Sequence, residues 1–144
     1  MTEPAQDLVL TMERTFAASP DRVYRAWTDE DEVVRWIAPS PEMPTTAELD
    51  VREGGRYTIT MGSYVVRGVY RELAPGRKLV FTWRWDGESD HEMLVTVAFE
   101  ATSSNGTRMR LEHVRLPTAE QKANHEQGWT GSFARLEGYL GATD

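Results

Sequence analysis

There is no cysteine in this chain, which excludes disulfide staples, thiolate nucleophiles and cysteine-ligated metals together. Histidine is nearly as scarce, with three in 144 residues: His91, His113 and His125. They lack the i, i+4 spacing and the carboxylate partner of a zinc site, so no metal is expected. No apolar run approaches the ~20 residues that span a bilayer, and the N-terminus has no basic-then-apolar secretory pattern. The expectation is a cytoplasmic protein without membrane insertion. Positive charge is in deficit, 16 Lys and Arg against 23 Asp and Glu, and the net charge of −7 argues against nucleic acid, whose phosphates need a basic face. A P-loop, a dinucleotide fingerprint and a paired-carboxylate arrangement are also missing. Gly54-Gly55 is not followed by a helix and cannot cradle a phosphate in the usual way. No cofactor is expected.

What is present is the composition of an ordinary globular domain, 40% hydrophobic and 27% charged. The length suits one domain over residues 1–144, with the polar stretch Met1 to Asp7 frayed. From Leu8 to Phe16 apolar residues alternate with polar ones, the period of a strand, broken on its apolar face only by Arg14. Ser19-Pro20 reads as an N-cap and first helical position, opening a short helix with Val23, Ala26 and Trp27 on one face. Thr28 can cap a second helix with Asp29, Glu30 and Asp31 in its first turn, ending near Trp36. Pro39, Pro41 and Pro44 make Ile37 to Thr45 a stiff irregular loop.

Six strands follow by alternation and turn chemistry: Ala47–Arg52, Arg56–Met61, Val65–Leu73, Leu79–Trp85, Met93–Phe99 and Thr107–Leu116. Gly54-Gly55, Pro75-Gly76 and Asn105-Gly106 mark tight turns between them. In "LVFTWRW" Leu79, Phe81, Trp83 and Trp85 point one way; in the last strand Met109, Leu111 and His113 share a face. One apolar and one polar face make an antiparallel sheet wet on its outer side. Pro117 and the capping-box pattern Thr118 to Gln121 then open a long helix to Leu140, with Trp129, Phe133, Leu136 and Leu140 on one stripe. The upstream part of that stripe is stripped down, with His125, Gly128 and Ser132 beside Trp129, and Gly131 close by. Such a face suggests a helix that overlooks a gap.

The order is strand, two short helices, six strands, long helix: an α+β helix-grip fold, an antiparallel seven-stranded sheet wrapped around the C-terminal helix. The segments "ASPDRVYRAWTDEDEVVRWIAP", "LDVREGGRYTITM", "RGVYRELAPGRKLVFTWRW", "HEMLVTVAFE" and "HEQGWTGSFARLEGYL" resemble the START-like (SRPBCC) superfamily, and within it the group related to the C-terminal domain of the activator of Hsp90 ATPase. The resemblance runs from about Thr11 to Leu140 and rests on Trp36 with Pro39, Gly54-Gly55, Trp83-x-Trp85, and His125 with Gly128-Trp129. The departure is Ile37-Ala38, where such proteins usually carry Trp-Gly before the proline, a change at the mouth of the cavity. The resemblance implies a hydrophobic pocket between helix and sheet. It does not imply one activity, because members bind lipids, sterols or hormones, cyclise polyketides, or assist a chaperone.

Three functions stay open. The first is a binding protein for a small, largely hydrophobic molecule, its walls drawn from Trp36, Tyr57, Ile59, Trp83, Trp85, Met93, Val95, Met109, Leu111, Trp129 and Phe133. His113, His125 and Tyr70 would add polar contacts. The plainer account of these aromatics is a filled core, and of His113 a histidine bonded to its neighbours. The second is a cyclase, dehydratase or hydrolase with His113 or His125 as acid–base. The third is a cofactor of an Hsp90-type chaperone acting through its surface. A homodimer is left open. Ser89, Asp90 and His91 mimic parts of a triad, but adjacent residues cannot align as one.

Overall fold

The structure, a computed structural model, describes residues 8–87 and 92–143. The expectations for Met1 to Asp7 and for Ser89, Asp90 and His91 lie outside them. The elements are β1 (Leu8–Phe16), α1 (Pro20–Thr28), α2 (Glu30–Val33), β2 (Thr45–Leu49), β3 (Arg56–Met61), β4 (Tyr64–Ala74), β5 (Lys78–Trp85), β6 (Met93–Ala101), β7 (Thr107–Leu116) and α3 (Ala119–Thr143). The strands form one antiparallel sheet of seven among the described residues, ordered β1-β7-β6-β5-β4-β3-β2. The short turns dictate this order: from β2 to β7 each strand pairs with the next, and β1 closes onto β7.

The helices start where side chains can satisfy first-turn donors. Ser19 accepts from the Arg22 amide with Pro20 at the first position of α1. The cap of α2 is Asp29, not Thr28: Asp29 Oδ1 accepts from the amides of Asp31 and Glu32 at 2.9 and 3.2 Å, while the Thr28 hydroxyl donates back to the Tyr24 carbonyl. An aspartate at that position offers the stronger, charged acceptor. The helix is also shorter than its pattern suggests and stops at Val33, with turns carrying the chain to Trp36. Strand β2 runs from Thr45 to Leu49 instead of Ala47 to Arg52 because its pairing with β3 ends at Leu49 opposite Tyr57.

Side chains from the concave face of the sheet and from α1 and α3 make a single core. Period two holds on β6 and β7, where Met93, Val95, Val97 and Phe99, then Met109, Leu111 and His113, are buried. On β5 the outward-facing Val80 and Thr82 are buried as well, so the outer face is not uniformly wet. The cause is local. Gly68 lies opposite Tyr57, and a methyl built on it would sit 2.0 Å from the Thr82 carbonyl oxygen and 2.5 Å from the Tyr57 ring. The missing side chain lets Tyr57 cross over Gly68 and donate its hydroxyl to that carbonyl. The Thr82 hydroxyl in turn accepts from the Val69 amide at 2.8 Å. On α3 the buried stripe is His125, Trp129, Ser132, Phe133, Leu136 and Leu140. Burial of Phe133 or Leu136 is worth roughly 1.5–3 kcal/mol each.

Candidate functional site

Beneath the middle of α3 aromatic rings pack closely. Trp27 packs against Trp36, Phe81, Trp129 and Phe133 with ring centroids 4.7–6.2 Å apart. Beneath the N-terminal half a cleft of about 380 Å³ opens between α3 and the end of the sheet. Its sheet wall is Met61 of β3, Tyr64 of β4, and Trp83 and Trp85 of β5. The helix supplies Gln121, Asn124, His125, Gly128, Trp129 and Ser132, and the proline-rich loop supplies Ile37, Pro39 and Met43. A second void of about 20 Å³ lies deeper, bordered by Tyr57, Ile59, Tyr70 and Phe81, and Trp83 and Ile37 form the partition between the two.

The expected site residues divide accordingly. Trp83, Trp85, His125 and Trp129 line the cleft. Tyr57, Ile59 and Tyr70 border the deeper void. Trp36, Met93, Val95, Met109, Leu111, His113 and Phe133 are buried in the core and touch neither space. The Trp36 indole donates to the Ala26 carbonyl at 3.0 Å, and Met109 Sδ receives the Trp27 indole N–H at 3.3 Å. The pattern had signals for the lining residues it missed. Met61 continues the parity of Tyr57 and Ile59, and Gln121 lies one turn before His125 on the stripe already read through Gly128 and Ser132.

Gly128 and Gly131 share a reading in the sequence and have opposite environments. A methyl on Gly128 meets nothing within 4 Å, so this glycine faces open space. A methyl on Gly131 would lie 2.6 Å from the Pro39 carbonyl oxygen, so there the side chain is missing because the loop backbone occupies its place. Ser132 donates to the Ile37 carbonyl, and the Arg135 guanidinium donates to the carbonyls of Ala38, Ser40 and Arg35 at 2.7, 3.1 and 3.0 Å. One face of α3 thus clamps the loop that forms a cleft wall.

Two histidines pack edge to face behind the helix wall, ring centroids 4.8 Å apart. The Trp129 indole N–H reaches His113 Nδ1 at 3.1 Å, so that nitrogen accepts, and Nε2, 3.3 Å from Met93 Sδ, carries the hydrogen. His125 is the opposite tautomer. Its Nδ1 sits 2.7 Å from the Gln121 carbonyl and donates, while Nε2 accepts from the Trp85 indole at 3.0 Å. Burial, then the neighbouring His125, push the His113 pKa down to about 3. Every ring nitrogen of the pair is engaged. Among the described residues, the buried side-chain polar atom without a partner is Trp83 Nε1, in the partition between cleft and void. No group of three or more His, Asp or Glu among the described residues is placed to hold a metal ion, and no helix there is long and apolar enough to cross a membrane.

A seven-stranded antiparallel sheet gripping a C-terminal helix is the helix-grip architecture of START-like proteins. Residues 17–141 match the family described as "Activator of Hsp90 ATPase homolog 1-like protein". The chain belongs to that family. It is 29% identical over 122 residues to the human "Activator of 90 kDa heat shock protein ATPase homolog 1", an alignment covering 83% of this chain and 33% of the relative. The chain thus spans about a third of the length of that relative. Protein CV1439 from Chromobacterium violaceum superposes with a TM-score of 0.78 at 26% identity, over 91% of this chain and 96% of that one. PFC0360w, an HSP90 activator from Plasmodium falciparum, superposes with a TM-score of 0.79 at 24% identity, over 93% and 96% of the two chains, and that likeness is one of fold.

Proposed function

We propose that this protein binds a small, largely hydrophobic molecule in the cleft between the N-terminal half of α3 and the β3–β5 end of the sheet. The observation that carries this is the pairing of an open space of about 380 Å³ with indole, thioether and aliphatic walls beneath a helix face that Gly128 leaves bare. The volume is at the small end of the ~300–1,000 Å³ usual for ligand sites. An acid–base enzyme has less support: His113 is buried outside the cleft, and both nitrogens of His125 are engaged. The test is a ligand screen read by indole fluorescence and thermal shift, since Trp83, Trp85 and Trp129 border the space. A hit should raise Tm with the concentration dependence of simple linkage. Gly128→Leu should fill the space and abolish binding. It should also stabilise the empty protein by up to about 1 kcal/mol, because a leucine replaces a mid-helix glycine. A hit whose affinity survives Gly128→Leu binds elsewhere and overturns the proposal.

A second reading is favoured by the relatives: a cofactor of an Hsp90-type chaperone, acting through the outer surface. Its measurement is the ATPase rate of such a chaperone with and without this chain. Stimulation that Gly128→Leu leaves intact and charge changes on exposed strand residues abolish would establish it. No stimulation at saturating protein would dismiss it.

A further inference from the structure

The charge of the cleft narrows its occupant. Although 27% of the chain is charged, no Asp, Glu, Lys or Arg stands among the residues lining this space. Its polar rim comprises the neutral amides of Gln121 and Asn124, which offer both donors and acceptors, and the Tyr64 phenol at the mouth, while the Ser132 hydroxyl is spent on the Ile37 carbonyl. The indole N–H groups of Trp85 and Trp129 are spent on His125 and His113, and the unpartnered Trp83 Nε1 in the partition is a neutral donor that brings no charge to match an anion. The start of α3 offers little more: Thr118 Oγ1 already accepts from the Gln121 amide, and Glu120 stands in the first turn. A carboxylate entering here would give up its hydration for no opposite charge. A cation would find aromatic faces, but their attraction falls short of the cost of stripping its hydration where no carboxylate lines the space.

We infer that the cleft selects an uncharged, flat aromatic molecule whose polar end is amide-like and lies at the Gln121–Asn124 rim. This rests on the binding function proposed above and adds the chemical class of the ligand. Trp83, Trp85 and Trp129 supply the faces for the ring, and Tyr64, 59% exposed and set edge to face against Trp85, stands at the mouth. The side-chain amides are at the opposite wall, on successive turns of one helix face.

The experiment is calorimetric titration, at pH 7, of naphthalene-2-carboxamide, naphthalene-2-carboxylate and 2-(aminomethyl)naphthalene. These share a ring system and differ in charge: neutral, anionic and cationic. The carboxamide should bind at least about tenfold more tightly than either ion, reflecting the unmatched desolvation of the charged ends. Asn124→Lys, a change at an exposed position, should raise carboxylate affinity and lower that of the amine, because it places the missing charge on the rim. Gly128→Leu should remove binding of all three. If the carboxylate or the amine binds as tightly as the carboxamide, and Gly128→Leu removes it, the cleft is a binding site and this inference about its class is wrong. An affinity order that Asn124→Lys leaves unmoved would likewise show that rim charge does not set selectivity. If none of the three binds while a hydrophobic screening hit does and is lost on Gly128→Leu, the inference about class is wrong and the binding function stands; binding that Gly128→Leu leaves unchanged overturns both.

Discussion

An indole N–H can only donate and a main-chain carbonyl can only accept, so the tautomers of His113 and His125 are dictated by their neighbours. The consequence is measurable as a pH dependence. The His113 pKa is lowered from 6.5 to about 3, so below 6.5 the unfolded chain takes up a proton that the folded chain refuses. Stability therefore falls as pH drops from 6.5 toward 3, by about 1.4 kcal/mol per unit at most. Replacing His113 by Leu should cost about 1–3 kcal/mol at pH 7, since the buried Trp129 donor loses its acceptor. The gap to wild type should narrow between pH 7 and 5 in urea titrations, because the variant lacks the acid-sensitive group. A constant gap would mean that His113 takes its proton as readily folded as unfolded. Strand parity placed His113 inward and helical periodicity placed Trp129 on the buried stripe. Neither could show that the two meet, because the register of α3 over the sheet is set by packing that no local period encodes.

At the level of elements, the loop from Ile37 to Pro39 is held by Gly131, Ser132 and Arg135 of α3. Prolines made this segment legible as a rigid loop, and its place at the cleft follows from the clamp. The glycines were legible as positions without side chains. The cause was not, because a bare helix position is equally the mark of an open space, as at Gly128, or of a backbone at contact distance, as at Gly131. A matched pair of substitutions separates these cases. Gly138→Ala, at an exposed helical position with nothing within 4 Å, should stabilise the protein by up to about 1 kcal/mol through helix propensity alone. Gly131→Ala offers the same propensity gain but must displace the Pro39 carbonyl, at an overpacking cost of about 1–3 kcal/mol, so its Tm should fall. It should also shift ligand affinity, since Ile37 and Pro39 line the cleft. Equal stabilisation by both alanines would show that the loop yields freely and that the clamp is not rigid.

Across the whole molecule, the order of elements was readable because each strand carried its period and each connection its turn residues, and short turns force antiparallel neighbours. What joins α3 to the first two helices was not readable, because Glu32 and Tyr139 lie 107 residues apart in the chain. Glu32 of α2 receives Arg22 at 2.6 Å and Arg25 at 2.8 Å from α1, and the Tyr139 hydroxyl at 3.0 Å from α3. Burial pushes the Glu32 carboxyl up, but the hydrogen bonds from Arg22, Tyr139 and Arg25 outweigh it and hold its pKa below the ordinary 4.5. A lowered carboxylate pKa contributes stability that is fully present above 4.5 and disappears as pH falls through the folded value. Glu32→Gln should therefore cost about 1–3 kcal/mol at pH 7, since charge-assisted bonds to the largely buried Arg22 are lost. As pH falls from 4.5 through the folded value the difference from wild type should shrink, because the unfolded wild-type chain takes up its proton first and below the folded value both chains carry a neutral group at this position. Glu100→Gln is the control: its bond to Arg108 is at the surface, with the Glu100 side chain 70% exposed, and the change should stay within about 0.5 kcal/mol at any pH. Equal losses for the two variants at pH 7 would show that the three-helix junction contributes no more than a surface ion pair, and that the loop clamp and the core fix where α3 lies.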